Sequence, residues 1–149
     1  MVTKYSLGGM TLLMLSTMTM AKTTYADVQI SHLKPSKEQM IWIRENPNTP
    51  KYPLTLAKAG VRGCAVYSFD ITGEGDIENI ELMSAIPGKT LSKEAKKLLN
   101  SWHWQVANNK QAALEHKVIR LDFCIGGDTI EQAQQQCIAQ SQLACSANG

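Results

Sequence analysis

The chain has 149 residues, of which 44% are hydrophobic and 19% charged, and its formal net charge is +2. This length and composition predict a single domain with one modest core. Basic residues do not cluster with aromatic ones, which argues against nucleic acid as a partner.

Residues 1–26 have the features of a secretory signal peptide. Lys4 precedes an apolar run, and the small residues Thr24 and Ala26 stand before a cleavage point. Cleavage after Ala26 removes Lys4 and Lys22 and leaves acidic and basic residues in balance. The alternative is a weak, uncleaved membrane anchor, because the apolar run of about 17 residues reaches the lower limit for a membrane span.

All the cysteines follow the proposed cleavage point, and an even number of them in an exported chain predicts disulfides. They are Cys64, Cys124, Cys137 and Cys145. Their spacings contain no C-x-x-C, which argues against a thioredoxin-like redox site and a zinc ribbon. The sequence predicts no metal site, no cofactor and no small-molecule substrate.

Residues 27–49 are predicted to be an N-terminal helical segment or linker. Ser36 followed by Gln39 is a capping-box pattern, which supports a short helix from about Lys37 to Glu45. Prolines end this segment, and a second short helical turn opens after Tyr52-Pro53, where proline favours the first helical position.

The segment Cys64 to Ile71 has the two-residue period of a half-buried strand. The residues predicted to face inward are Ala65, Tyr67, Phe69 and Ile71. "TGEGD" then connects this strand to "IENIELMS". Because no helix and no Lys-Ser or Lys-Thr pair follows the glycines, a hairpin turn is favoured over a phosphate-binding loop.

An amphipathic helix is predicted from Leu91 to Trp104, with Ser92 as its N-cap. The segment "KVIRLDFCI" alternates again, with Ile119, Leu121, Phe123 and Ile125 inward. The fold class is therefore α+β, a small three-stranded antiparallel sheet with a helix on one face, in the order strand, strand, helix, strand. A short N-terminal helix and a C-terminal tail, residues 128–149, complete it; the tail is predicted to be helical because it carries a cap signal and is rich in Gln and Ala.

Residues 50–127 resemble the C-terminal domain of the TonB family. The resemblance depends on the order and spacing of several features rather than on any one of them. They are Tyr52-Pro53, Ala57, Gly63, the strand ending in Phe69 and Ile71, Gly75, Ser84, the pair Trp102 and Trp104, and "IRLDFCI".

The resemblance implies a periplasmic domain that binds outer-membrane receptors. In this family, the last, exposed strand pairs with a short extended peptide near the receptor's N-terminus, because an edge strand offers unpaired backbone groups to another chain. The implied edge comprises Val118, Ile119, Arg120, Leu121, Asp122 and Phe123. The region of Lys51, Tyr52 and Pro53 is expected to lie near the same peptide.

The family topology also suggests a disulfide pairing. The first and last strands are antiparallel neighbours there, which favours a bond between Cys64 and Cys124 and leaves Cys137 with Cys145. An unbroken helix would place Cys137 and Cys145 about 12 Å apart, too far for a disulfide. Pairings between tail and sheet are the alternative.

The function expected from these features is that of an exported, periplasmic interaction domain in transport across the outer membrane. Its partner would be an extended peptide of a receptor or another envelope protein. The alternative is a membrane-anchored energy transducer that couples a proton-driven inner-membrane complex to receptors. An enzyme is not expected, because His32, His103 and His116 lack partners at catalytic spacing. Stacking of Trp102 and Trp104 on a peptidoglycan sugar is a further alternative to their packing in the core.

Overall fold

The computed structural model describes residues 23–146. Most of the predicted signal peptide lies outside the described residues. The strands are β1 (Ala26–Lys34), β2 (Trp42–Arg44), β3 (Gly63–Ile71), β4 (Ile77–Ile86), β5 (Trp104–Val106) and β6 (Glu115–Ile125). The helices are α1 (Leu54–Lys58), α2 (Gly88–Asn100) and α3 (Ile130–Ser141).

The main sheet is antiparallel and four-stranded, in the order β1-β6-β3-β4. The α+β class is confirmed, but the prediction of three strands is wrong by one, because β1 adds to the far side of β6. Strands β2 and β5 form a separate two-stranded ribbon. The β3–β4 connection is the predicted hairpin, in which Thr72 Oγ1 accepts hydrogen bonds from the backbone N–H groups of Glu74 and Asp76.

The inner face of the sheet packs against α2, and the alternation predicted for β3 and β6 is confirmed. The core residues on these strands are Ala65, Tyr67, Phe69, Ile71, Ile119, Leu121 and Phe123. Helix α2 contributes Leu91, Ala95 and Leu99, all fully buried. It begins at Gly88, earlier than predicted, so Ser92 lies inside the helix rather than at its N-cap.

The N-terminal helix predicted from Lys37 to Glu45 is absent, and β1, a turn and β2 take its place. The capping-box residues form only that turn, in which the N–H groups of Gln39 and Met40 donate to the carbonyl of Ser36. The next two N–H groups, of Ile41 and Trp42, donate instead to the Glu115 carboxylate. A short helix is marginal by itself, and these tertiary bonds replace it.

Helix α3 confirms the helical tail and covers the outer face of the sheet over β1 and β6. Thr129 is its N-cap and accepts from the N–H of Gln132 at 3.2 Å. Among the described residues both disulfides join tail to sheet, Cys124 to Cys137 and Cys64 to Cys145. The favoured pairing of Cys64 with Cys124 is therefore wrong, and the tail-to-sheet alternative is confirmed.

Candidate functional site

Strand β6, the predicted edge strand, lies in the interior of the sheet. It pairs with β3 on one side and with β1 on the other, in a register that runs from Ala26 opposite Ile125 to His32 opposite Ile119. The prediction that Val118 to Phe123 form an exposed edge is therefore wrong. The physical reason is that the segment predicted to be helical or a linker contains a strand, which satisfies the backbone groups of β6.

The charged residues of the predicted edge are buried beneath α3. Arg120 and Asp122 form a bidentate pair, with Nε to Oδ2 at 2.8 Å and Nη2 to Oδ1 at 2.9 Å. The same guanidinium donates to the carbonyls of Leu143 at 2.6 Å and Gln140 at 3.0 Å. Arg120 thus binds carbonyl groups at the end of α3, where a helix carries partial negative charge.

The predicted Tyr-Pro region lies beside the inner face. The ring of Tyr52 packs edge-on against Phe123 with 5.9 Å between centroids, and its hydroxyl donates to the carbonyl of Val61 at 2.5 Å. Burial raises the pKa of Tyr52 to about 12. Pro53 is the N-cap of α1, and Lys51 is exposed. Tyr52 therefore anchors this region to the domain.

The outer side of β1 is an edge with open backbone groups. The N–H of Gly126 donates to the carbonyl of Tyr25, so these two residues form a hydrogen-bonded pair. Because pair types alternate along an antiparallel ladder, the N–H and C=O groups of Val28, Ile30 and His32 point away from β6. Within residues 23–146, β1 has no second strand partner.

A groove of about 430 Å³ runs along this edge. One wall includes the consecutive residues Asp27 to Ile30 together with His32, and the other is formed by Ile43, Arg44, Pro47, Thr49 and Pro50. Consecutive strand residues point to opposite faces, so this groove follows the strand edge rather than one face. The two prolines have no backbone N–H to donate to β1.

Charged side chains lie near the His32 end of the groove, namely Arg44 and the ion pair of Lys117 with Glu115. Burial lowers the pKa of His32, and the positive charges of Lys117 and Arg44 lower it further. Lys117 is buried beside Glu115 and lies 5.3 Å from the Trp104 ring centroid. The Arg44 guanidinium stacks over Trp102 at 4.6 Å. Because Lys117 is paired with Glu115, Arg44 is the cation in the lining of this end of the groove that suits it to an acidic group.

We expect His32 to make the fold sensitive to mild acid. Its folded pKa is below the ordinary value of 6.5, so the unfolded chain binds more protons and stability falls as pH drops below that value. Replacing His32 with Gln should remove this loss. Between pH 7.5 and pH 5 the free energy of unfolding of the wild type should therefore fall more than that of the variant. Urea unfolding at each pH measures it.

The matched control for this prediction is His103→Gln, because the side chain of His103 is exposed. It removes an imidazole that lies outside the groove along β1. A difference between wild type and His32→Gln that stays constant with pH would contradict the expectation.

A second groove, of about 590 Å³, continues from the first. The two share Arg44, Thr49 and Pro50, and the second extends past Lys51 to Trp102 and His103. Trp102 is half-buried and lies edge-on to Trp104, with 6.1 Å between ring centroids, and Trp104 is in the core. Core packing thus accounts for Trp104, while one side of Trp102 carries the Arg44 stack.

The other site predictions concern metals and membranes. Across residues 23–146, no group of three or more His, Cys, Asp or Glu side chains is placed to hold a metal ion. In the same part of the chain no helix has the length and apolar character needed to cross a bilayer.

His116 Nδ1 lies 2.8 Å from Asp70 Oδ1 on the exposed surface, across the β3–β6 pair.

Curated proteins with similar sequences share a name. The chain is 25% identical over 75 residues to Protein TonB of Salmonella typhimurium, covering 50% of this chain and 31% of that protein. It is 28% identical over 82 residues to Protein TonB of Escherichia coli, covering 55% of this chain and 33% of that protein. The chain thus spans about a third of the length of these relatives.

Among solved structures, the solution NMR structure of the TonB CTD of Pseudomonas aeruginosa has a TM-score of 0.47 and 18% identity. The likeness covers 63% of this chain and 92% of that one. Residues 48–125, just over half of the chain, match the profile of the family described as Gram-negative bacterial TonB protein C-terminal. This chain therefore belongs to the TonB C-terminal domain family.

Proposed function

We propose that this protein is an exported periplasmic domain that binds an extended segment of an outer-membrane receptor, or of another envelope protein, by strand addition. The observation that carries the proposal is the groove along the outer backbone edge of β1, which has no strand partner within residues 23–146. An edge strand of this kind is a template for a further strand, and main-chain hydrogen bonds supply the affinity. Family membership supports the class of partner.

The periplasm is the proposed location, after removal of residues 1–26 as a signal peptide. The two disulfides support it, because disulfides persist in oxidising compartments such as the bacterial periplasm. In this role the domain takes part in transport across the outer membrane through its contact with a receptor.

The partner segment has two places where it could join the sheet. It could add outside β1, or it could replace β1 and pair with β6, which would bring Val118 to Phe123 into contact with it as the family resemblance implies. Both places lie on the β1 side of β6, and Tyr52 packs against Phe123 of β6.

Synthetic peptides test the proposal. Peptides of about 15 residues from the N-terminal periplasmic segments of the host's own outer-membrane receptors are titrated into the oxidised protein. We expect dissociation constants in the micromolar range and backbone amide shifts at this side of the sheet, because strand addition depends on main-chain bonds. Binding is measured by fluorescence anisotropy and located by NMR.

The matched control is each binding peptide with one central residue replaced by proline, which removes a backbone N–H and should weaken binding strongly. If no receptor peptide binds, or if proline variants bind equally well, strand addition is not the function of this domain.

A further inference from the structure

Strand β1 is held in the sheet by more than its pairing with β6. The Cys124–Cys137 disulfide fixes α3 to β6 at the position where Cys124 lies opposite Asp27 of β1. Cys137 Sγ is 3.7 Å from the carbonyl oxygen of Asp27. The second disulfide fixes the chain beyond α3 to β3. The helix therefore covers the junction between β1 and β6 and is covalently attached above it.

The inner face of β1 belongs to the core. Val28 is 2% exposed and Ile30 packs against the core cluster, opposite Phe123 and Leu121 of β6 respectively. Removing β1 would expose all four apolar side chains to water, which is unfavourable in proportion to their area. A partner segment that replaced β1 would have to bury the same surface.

Competition also favours β1 over a separate peptide. A strand on the same chain is present at an effective concentration on the order of millimolar, whereas a free peptide has to pay the entropy of association. A peptide that binds weakly therefore cannot displace a tethered strand that α3 covers.

The outer side of β1 has no such competitor. The outward backbone groups of Val28, Ile30 and His32 face the groove, and within residues 23–146 no backbone hydrogen bond joins them to the 43–50 segment opposite. The charges differ along the groove, with the Asp27 carboxylate at one end and the Arg44 guanidinium, close to His32, at the other. An extended segment with an acidic side chain fits the second end.

We propose that the partner strand adds to the outer edge of β1, and that β1 stays paired with β6 as a permanent strand under the disulfide-anchored helix. This inference rests on the proposed function and specifies its site. The partner segment is extended, and it places an acidic side chain next to His32 and Arg44. The docking edge of this protein is thus one strand further out than the edge that the family resemblance implies.

Cross-linking β1 to β6 tests the inference. Ala26 and Ile125 form a non-hydrogen-bonded pair, whose Cα separation of about 4.5 Å suits a disulfide. The protein for this test begins at Thr23, so that Ala26, which the proposed cleavage removes, stays in the chain. With Ala26→Cys and Ile125→Cys joined, β1 is fixed at its start by the bond and at its end by the chain. We expect receptor peptides that bind the wild type to bind this variant within about twofold. The control without a cross-link is Ala26→Ser with Ile125→Ser.

Amide hydrogen exchange provides a second readout on the unchanged protein. With a bound receptor peptide, the amides of Val28, Ile30 and His32 should become protected, while those of Gln29 and Ser31, which point toward β6, should keep their protection. Replacing an acidic residue of the peptide with its amide should weaken binding by several-fold if that residue lies next to Arg44.

The outcomes separate the two proposals. Loss of peptide binding in the cross-linked variant, with binding kept in the serine control, or loss of protection at Gln29 and Ser31, would show displacement of β1. Either result overturns this inference and leaves the proposed function standing. Absence of binding to the wild type overturns the proposed function itself, and the inference with it.

Discussion

Replacing Arg120 with methionine should lower the free energy of unfolding by about 3–5 kcal/mol. Asp122, its partner, is fully buried, and Arg120 is 8% exposed. Without the guanidinium, the Asp122 carboxylate keeps the amide of Gln140 at 3.1 Å but no positive charge. A buried charge that has lost its counterion costs several kcal/mol, and the carbonyls of Gln140 and Leu143 lose their donor as well.

Urea unfolding of the oxidised protein measures the effect of Arg120→Met. The matched control is Arg62→Met, because Arg62 is exposed and its removal should change stability by about 0.5 kcal/mol or less. The double variant Arg120→Met with Asp122→Leu should lose less stability than Arg120→Met alone, because it leaves no unpaired charge. A loss below about 1 kcal/mol in Arg120→Met would show that the pair lies in contact with water.

The elements of the inner face could be predicted from the sequence because their burial is periodic. Every second residue is apolar from Ala65 to Ile71 of β3 and from Ile119 to Phe123 of β6, and the structure buries those residues in the core that α2 covers. Helix α2 itself follows from the stripe of Leu91, Ala95 and Leu99. Membership of the TonB C-terminal family agrees with the resemblance and with the prediction that the chain is not an enzyme.

The burial of the outer face is harder to predict from the sequence, because the strand residues on this face include charged ones. Arg120 and Asp122 alternate with apolar residues, which is the pattern of a solvent-facing strand side. Residues two apart in a strand share a face, so Arg120 and Asp122 can form an ion pair when another element packs over them. That element is α3, in which only Ala133 and Cys137 are buried, so its apolar pattern gave little indication of where it packs.

The sequence does not predict the candidate site, because residues 27–49 have the features of a helical segment or linker. The segment "DVQISHL" has a strand's alternation, with Val28 and Ile30 facing the core, but it directly follows the predicted cleavage point. The stronger local signal was the capping box at Ser36, which the structure uses for a turn. Pairing between β1 and β6 joins residues far apart in sequence, and local patterns do not report it.

The disulfide pairing depends on the same long-range geometry. In the β3–β6 register Cys64 lies opposite Asp122, so Cys124 is offset from Cys64 by two residues. Cys124 is instead directly beneath α3, within reach of Cys137, and the chain after α3 returns Cys145 to Cys64 with 5.8 Å between their Cα atoms. The sequence predicted that tail-to-sheet pairing was an alternative but contained no signal to select it.

Removing the Cys64–Cys145 disulfide should cost more stability than removing Cys124–Cys137. The first bond closes a loop with a sequence separation of 81, the second one of 13. Chain entropy then predicts losses of about 4.5 and about 2.9 kcal/mol respectively for replacing both cysteines of a pair with alanine. Urea unfolding measures the two losses, after intact mass has shown that the other disulfide is formed.

The effect on local opening of β1 should have the reverse order. The Cys64–Cys145 disulfide should contribute more to global stability, and the Cys124–Cys137 disulfide more to holding β1 in the sheet. Because Cys124–Cys137 lies over the β1–β6 junction, its removal should increase amide exchange in β1 more than removal of Cys64–Cys145 does, although the global loss is smaller. Faster exchange in β1 from loss of the longer loop alone, or equal global losses, would contradict this division. The shorter-range disulfide would then have no specific part in holding β1, and the edge to which a partner strand adds would depend on backbone pairing alone.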